Sequence, residues 1–360
     1  MKFLKNKLTL AVGSFLAVGS GLSHAGTTIN PYGFVQADFI YSTDQDTGTL
    51  ANANAINTDP NFEEDARFQA YAITSRLGLN IKGDGYSAVF EGDYFGGSGG
   101  TNDFRLRLAY GQYGNVTAGQ AYSTATERDW IAYPTTLDFY NPAGLAPSRL
   151  ALLRYTVGNV DLGIENSSNL SLSGGGSTRS ELPDFVIRYA SKGDSFSWYA
   201  SAVAASSEVD GGAADGDSVT VVGAHGGMRF NAGSGGAFSA NVIHNSPARA
   251  NYGGAVSALV VDGTDVESVD RTSYVVAWQG KAGPKTSYNI AYGQMKFDDE
   301  HSDLLGAGTA ETLTTIHANI LYSPIKNVTY GFEISNVERE DFSGDSADNT
   351  RLQFSAKYAF

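Results

Sequence analysis

Arg351-Leu352-Gln353-Phe354-Ser355-Ala356-Lys357-Tyr358-Ala359-Phe360 alternates residue by residue between polar or small and apolar side chains and stops on an aromatic. Leu352, Phe354, Ala356, Tyr358 and Phe360 share one parity; Arg351, Gln353, Ser355 and Lys357 share the other. Successive side chains of a strand point to opposite faces, so the segment has an oily face and a wet face. That is the pattern of a tilted strand crossing a bilayer, with lipid outside and water within.

A terminal strand carrying Phe354 and Tyr358 and ending on Phe360 also resembles the signal by which bacterial outer-membrane barrels are recognised for insertion by the barrel-assembly machinery. The other end of the chain agrees. Lys2, Lys5 and Lys7 precede an apolar run from Leu8 to Leu22, and Ser23-His24-Ala25 presents small residues where a signal peptidase cuts. Residues 1–25 therefore read as a removed signal peptide and residues 26–360 as one barrel domain. An uncleaved anchor is the alternative, disfavoured because the run is short.

Cysteine is absent, so the chain has neither a disulfide framework nor a thiolate metal site. With 43 Gly and 20 Tyr it is rich in turns and amphipathic aromatics, and no second apolar run is long enough for a spanning helix. Every backbone polar group must be satisfied inside lipid, which leaves a closed all-β transmembrane barrel. Composition alone would also admit a secreted β-sandwich. The net charge of −14 argues against nucleic acid as a partner. Acids crowd the longer connections, whereas Lys82, Lys192, Lys281, Lys285 and Lys326 mark tight turns. Long and short connections alternate, as they do when one rim faces the periplasm and the other the outside.

Alternating segments fall near 31–42, 67–82, 86–97, 103–113, 116–122, 149–157, 160–168, 184–192, 195–206, 218–230, 236–246, 271–281, 286–297, 311–323, 328–338 and 349–360. They predict a sixteen-stranded antiparallel barrel, although two strands more or fewer also fit. In the second segment Tyr71, Ile73, Leu77, Leu79 and Ile81 take the lipid parity and Arg76 the lumen parity. In the third, Glu91 and Asp93 face inward; in the fourth, Arg105 and Arg107 face inward against Phe104, Leu106, Leu108 and Tyr110. Arg154 and Arg188 take the inward parity too. An arginine facing lipid near the midplane costs roughly 2–4 kcal/mol, so energy supports these placements. Depending on the turn, Arg76 pairs with Glu91 or with Asp93. These charges could simply satisfy one another along the wall, or their surplus arginines could leave positive charge for passing anions.

The connection from Tyr122 to Ser148 is aromatic and stiffened by proline, unlike the other loops. It is the third long connection and is expected to fold inward as a constriction loop, bringing Arg128, Asp129 and Asp138 to the passage. Asp129 and Asp138 would then temper the attraction of the wall arginines and let solute leave. Reversing Arg105 and Arg107 to glutamate is expected to remove anion preference.

Glu91-Gly92-Asp93-Tyr94-Phe95-Gly96-Gly97, Arg105-Leu106-Arg107-Leu108-Ala109-Tyr110-Gly111, Thr117-Ala118-Gly119-Gln120-Ala121-Tyr122-Ser123 and Pro134-Thr135-Thr136-Leu137-Asp138-Phe139 resemble, in order and spacing, the DcaP-like family of outer-membrane porins. The resemblance implies a homotrimer of sixteen-stranded barrels, each with an inward third loop and an arginine-lined path for small dicarboxylates and related anions. It spans about Pro31 to Phe360 and is most specific over residues 86–156.

Other chemistry finds little support. His225, His244, His301 and His317 lack metal-ligand spacing, and no cofactor motif is present, so no cofactor is expected. No Ser/His/acid set stands out for a barrel enzyme, and inward positions rich in Gly, Ala, Ser and Thr argue against the filled lumen of an adhesin or structural barrel. The expected environment is the bacterial outer membrane, with lipids and lipopolysaccharide around the barrel and small anionic solutes inside.

Overall fold

The structure is a computed structural model that describes residues 26–49, 51–96, 102–126, 131–138, 143, 148–166, 170–180, 182–245 and 258–360. The expected signal peptide, residues 1–25, and the loop residues Arg128 and Asp129 lie outside the described residues.

The described residues build a barrel of sixteen antiparallel strands. In chain order these are β1 (Thr28–Ser42), β2 (Arg67–Tyr71 and Arg76–Lys82), β3 (Tyr86–Gly96), β4 (Asp103–Tyr113), β5 (Val116–Tyr122), β6 (Arg149–Val157), β7 (Val160–Glu165) and β8 (Asp184–Ser191). The second half comprises β9 (Phe196–Asp210), β10 (Ser218–Asn231), β11 (Ala237–His244), β12 (Arg271–Gly283), β13 (Thr286–Phe297), β14 (Ala310–Ile325), β15 (Val328–Asp341) and β16 (Ser346–Ala359). Each strand pairs with its successor, and β16 returns to β1 with Phe34 opposite Ala359 and Ser42 opposite Arg351. Closure removes the sheet edges, which the hydrocarbon core requires. At the seam the Phe360 amide donates to the Gly33 carbonyl at 3.0 Å, and Gly33 N–H donates back at 3.3 Å.

The outer surface is a belt of exposed Phe, Tyr, Leu, Ile and Val, including Phe39, Phe90, Phe185, Phe230, Phe332 and Phe354. On a soluble protein such a continuous patch would be an aggregation hazard; in a bilayer it is the lipid contact. Phe354 and Tyr358 join this belt, with the Tyr330 ring stacked on Phe354 at 6.5 Å and its hydroxyl 3.3 Å from that of Tyr358.

Strict parity fails at bulges, and two of them re-aim residues that the sequence had assigned to a face. Between Phe34↔Arg76 and Asp38↔Tyr71, three residues of β1 oppose four of β2, so residues 72–75 form a break across which the facing inverts. Tyr71, expected on the lipid side, therefore faces the lumen opposite the buried Asp38, and Phe68 takes the lipid side. In β4, Leu108 pairs with Glu91 but Leu106 pairs with Gly92, leaving Arg107 as the extra residue. Leu108 is consequently buried, at 8 % exposure, and Tyr110 faces inward opposite Val89, whereas Ala109 turns outward. An inserted residue locally bends the strand and re-aims its neighbours. Here it brings Arg107 and Leu108 to the same face while Arg105 keeps its inward direction.

Several loops fold back over the long-connection rim. Leu172–Ser173, Leu259–Asp262 and Asp265–Ser268 form a small separate sheet there, packed on Val209, Ala214 and Val221. The first long loop also enters the barrel mouth. Ala51, Ala53 and Ile56 pack on the inward side chains Met295, Phe297, Leu313 and Val337, a second invasion that sequence reading did not anticipate.

Candidate functional site

The third long loop leaves β5 and crosses the lumen along the wall from β7 to β16, as its proline and aromatic content suggested. Glu165 on β7 accepts Ser123 Oγ–H at 2.7 Å and the Thr124 amide. Ser201 on β9 donates to Ala125 O at 2.7 Å, and Asn241 on β11 donates to Ala132 O at 2.7 Å. Gln279 on β12 reaches Tyr133 O at 3.2 Å and Asn319 on β14 reaches Thr135 O at 2.7 Å. Glu333 on β15 then accepts two successive amides, Leu137 N–H at 2.8 Å and Asp138 N–H at 3.1 Å. Hydrogen bonds to a charged group contribute roughly 1.5–3 kcal/mol each. Two glycines make room for the crossing: a Cβ on Gly163 would lie 2.6 Å from Thr124 Oγ1, and one on Gly331 would lie 2.6 Å from a Leu137 methyl.

Glu333 is the hub of this anchorage. Besides the two amides it accepts Asn319 Nδ2–H at 2.8 Å and faces His317 Nδ1 at 3.2 Å, with both acid and imidazole at 1 % side-chain exposure. Glu333→Ala is expected to free the Leu137–Asp138 segment, raising mean single-channel conductance and current noise. Quiet traces at the wild-type level would show that the loop is held without it.

Asp138 does not reach the passage. It is 2 % exposed; its carboxylate accepts the Ala51 amide at 2.7 Å and lies 3.6 Å from Arg351 Nη2. Arg351 also donates to Thr47 Oγ1 at 2.6 Å and Gly48 O at 3.0 Å, so this ion pair ties the first loop, the third loop and β16 together. Acid and arginine act here as a brace.

The loop covers the wall of β7 to β16, and the wall of β2 to β6 lies opposite it. There the expected arginines gather. Asp93 lies directly across from Arg76, the register set by an Asp84-Gly85 turn, yet the Arg76 guanidinium reaches Glu91 at 3.5 Å. Arg105 forks onto Asp93 with bonds of 3.0 and 2.8 Å. Arg107 bridges both acids, donating to Glu91 at 2.8 Å and to Asp93 at 2.9 Å, and reaches the Tyr122 hydroxyl at 3.2 Å. Tyr32 O–H completes Glu91 at 3.0 Å. Burial separates these cations: the Arg107 side chain is 3 % exposed, Arg76 21 % and Arg105 32 %.

Arg154 is buried and its Nη1 lies 3.4 Å from Tyr122 O, so it supports the root of the loop. Arg188, 1 % exposed, pairs with Asp161 at 3.2 Å and lies over the Tyr199 ring at 5.2 Å. Tyr199 packs on Ile131 and Ala132 of the loop, so Arg188 sits among the loop's anchors, away from the arginine wall.

Sequence parity missed one cation. Arg149, at the first position of β6, lies over the Tyr122 ring at 6.0 Å and within electrostatic reach of Arg105 and Arg107, and forms no ion pair among the described residues. Its register, opposite Tyr122, carries the lipid-side parity; β5 ceases to pair with β4 beyond Gln120, however, so that parity no longer means lipid. An arginine on a nominally lipid-facing position was itself the signal that could have found it.

No protein-family model matches the sequence, and no curated protein is similar to it. Solved structures do match. The outer membrane channel DcaP of Acinetobacter baumannii superposes with a TM-score of 0.83 at 25 % identity, covering 94 % of this chain and 99 % of that one. An anion-selective porin from Comamonas acidovorans (TM-score 0.59, 15 % identity, 93 % and 100 % coverage) and Salmonella typhi OmpF in complex with daunomycin (0.61, 15 %, 95 % and 100 %) share the fold. A likeness to DcaP that runs almost end to end on both chains, joined to the motifs between Tyr86 and Thr156, makes this chain similar to the DcaP-like porins and supports its reading as a porin channel of the bacterial outer membrane.

Proposed function

We propose that the channel is anion-selective and prefers small dicarboxylates. The observation that supports this is the charge balance of the wall facing the loop, where, among the described residues, Arg76, Arg105, Arg107 and Arg149 stand beside the two carboxylates Glu91 and Asp93. The surplus is held close to the passage, where low-dielectric walls focus it. The acids that make the whole chain negative crowd the long loops, in water that screens charge within roughly 8–10 Å at physiological salt. Guanidinium forks suit carboxylates, and two separated positive centres suit a solute with two of them. Reversal potentials under a KCl gradient test the reading: preference for chloride over potassium supports it, and preference for potassium sinks it.

Assembly belongs to the same proposal. The chain works as a homotrimer in lipid and lipopolysaccharide, delivered by its signal peptide and inserted by the barrel-assembly machinery through Phe354, Tyr358 and Phe360. Phe360→Ala is expected to lower outer-membrane yield and leave periplasmic aggregate, whereas Phe332→Ala, on the same lipid belt, leaves insertion intact. Equal yield from the two variants would remove the special role of Phe360, and a purely monomeric species in mild detergent would remove the trimer.

A further inference from the structure

Beneath the crossing loop, on the side of the short turns, the wall carries cations that the arginine cluster does not use. Two neighbouring cavities of about 440 and 270 Å³ open there, and both are lined by Thr135 of the loop and Leu321 of β14. The first holds Arg229 and Lys281 and the second Lys326 and Lys357; no carboxylate is among the described residues lining either.

Arg229 is held by neutral oxygens. Its Nε donates to Asn231 Oδ1 and its Nη1 to Gln279 Oε1, both at 3.0 Å. Gln279 in turn donates to Tyr133 O, so the contacts that fix the loop also fix the guanidinium. An amide acceptor orients an arginine without neutralising it, and the remaining N–H donors keep their charge-assisted strength. Lys357 Nζ lies 3.9 Å from the centre of the Phe34 ring, another contact that leaves its charge in place. The acids of the neighbouring wall are engaged: Asp38 accepts from Gln36, Thr74, Gln353 and Ser355, and Glu333 holds the loop. Asp194, in the turn beside Arg229, meets Asn231 through its backbone carbonyl.

We propose that Arg229, with Lys281 beside it, forms a subsite for small dianions in the periplasmic vestibule, separate from the arginine wall. The ligand chemistry is a doubly charged oxyanion, either a short dicarboxylate or inorganic phosphate. The subsite rests on the channel reading and adds a direction to it. An anion arriving from the periplasmic side meets cations first, and one arriving from outside meets the acids of the loops.

The test is current block in planar bilayers holding oriented single channels, with millimolar succinate or inorganic phosphate added to one side at a time. Wild type is expected to be blocked at several-fold lower concentration from the short-turn side. Arg229→Gln is expected to erase that difference while leaving KCl conductance unchanged. Stronger block by either probe from that side than from the other supports the subsite and tells which dianion it takes. Equal block from the two sides in wild type, or unaltered sidedness in a normally conducting Arg229→Gln channel, overturns it. Lys281→Glu, at the exposed short-turn end of β12, provides a second variant that must reduce the same difference. Wild-type protein that folds but does not conduct overturns the channel reading itself, a failure distinguishable from loss of sidedness alone.

Discussion

Arg107→Glu is expected to prevent the barrel from maturing to a stable form. Arg107 bridges Glu91 and Asp93, which are 4 % and 1 % exposed, from a side chain as buried as theirs. Removing one partner of a buried ion pair costs roughly 3–5 kcal/mol, and this change takes the shared cation from two acids, leaving Asp93 to Arg105 and Glu91 to the longer Arg76 contact, while adding a third charge of the same sign. The comparison is Arg105→Gln, whose side chain is far more exposed and contacts Asp93 alone of the two acids, leaving Arg107 to hold that acid. Heat-modifiable migration in detergent gels should show little folded Arg107→Glu and mostly folded Arg105→Gln. Wild-type folding of Arg107→Glu would mean that the bridge is dispensable. Reversing Arg105 and Arg107 together, the variant the sequence alone would recommend, therefore confounds selectivity with folding.

The cleaner selectivity variant is Arg76→Gln with Arg149→Gln. Neither side chain bridges the buried acids as Arg107 does: Arg76 makes a long contact with Glu91, and Arg149 makes no ion pair among the described residues. Their removal leaves Arg105 and Arg107 matched by Asp93 and Glu91, so the surplus disappears while the bridged core of the cluster persists. Chloride preference is expected to fall several-fold, toward an unselective pore of near wild-type conductance. Retention of the full reversal potential would place the selectivity elsewhere, with the vestibule cations around Arg229 as the next candidates.

The fold was legible wherever alternation ran unbroken. All sixteen strands, the closing seam and the inward third loop follow from period-2 patterning, turn residues and one connection too stiff to be an ordinary loop. Parity went wrong for Tyr71, Leu108 and Tyr110 because a bulge is one residue long and leaves no compositional mark, although everything beyond it changes face. Arg76 and Arg105 take the inward face that parity assigns them because burial energetics constrain an arginine more tightly than a tyrosine, whereas Arg149 escaped the same reading. What the sequence concealed were long-range matches: Glu333 with two loop amides, Asp138 with Ala51 and Arg351, Arg229 with two amides. Each joins residues far apart in the chain through a polar contact that no local pattern announces.

The anchors of the crossing loop lie on β7, β9, β11, β12, β14, β15 and β16, spread over more than half the circumference. A loop hung from so many points behaves as a fixed mesh, and a swinging door is not available to it without breaking most of those bonds at once. Its mesh size is therefore inherited from the stiffness of the wall. The largest solute admitted should stay constant across temperature and applied voltage for as long as the barrel itself survives. Widening the sieve calls for shorter side chains on the wall, since trimming the loop would discard the anchors that define the opening.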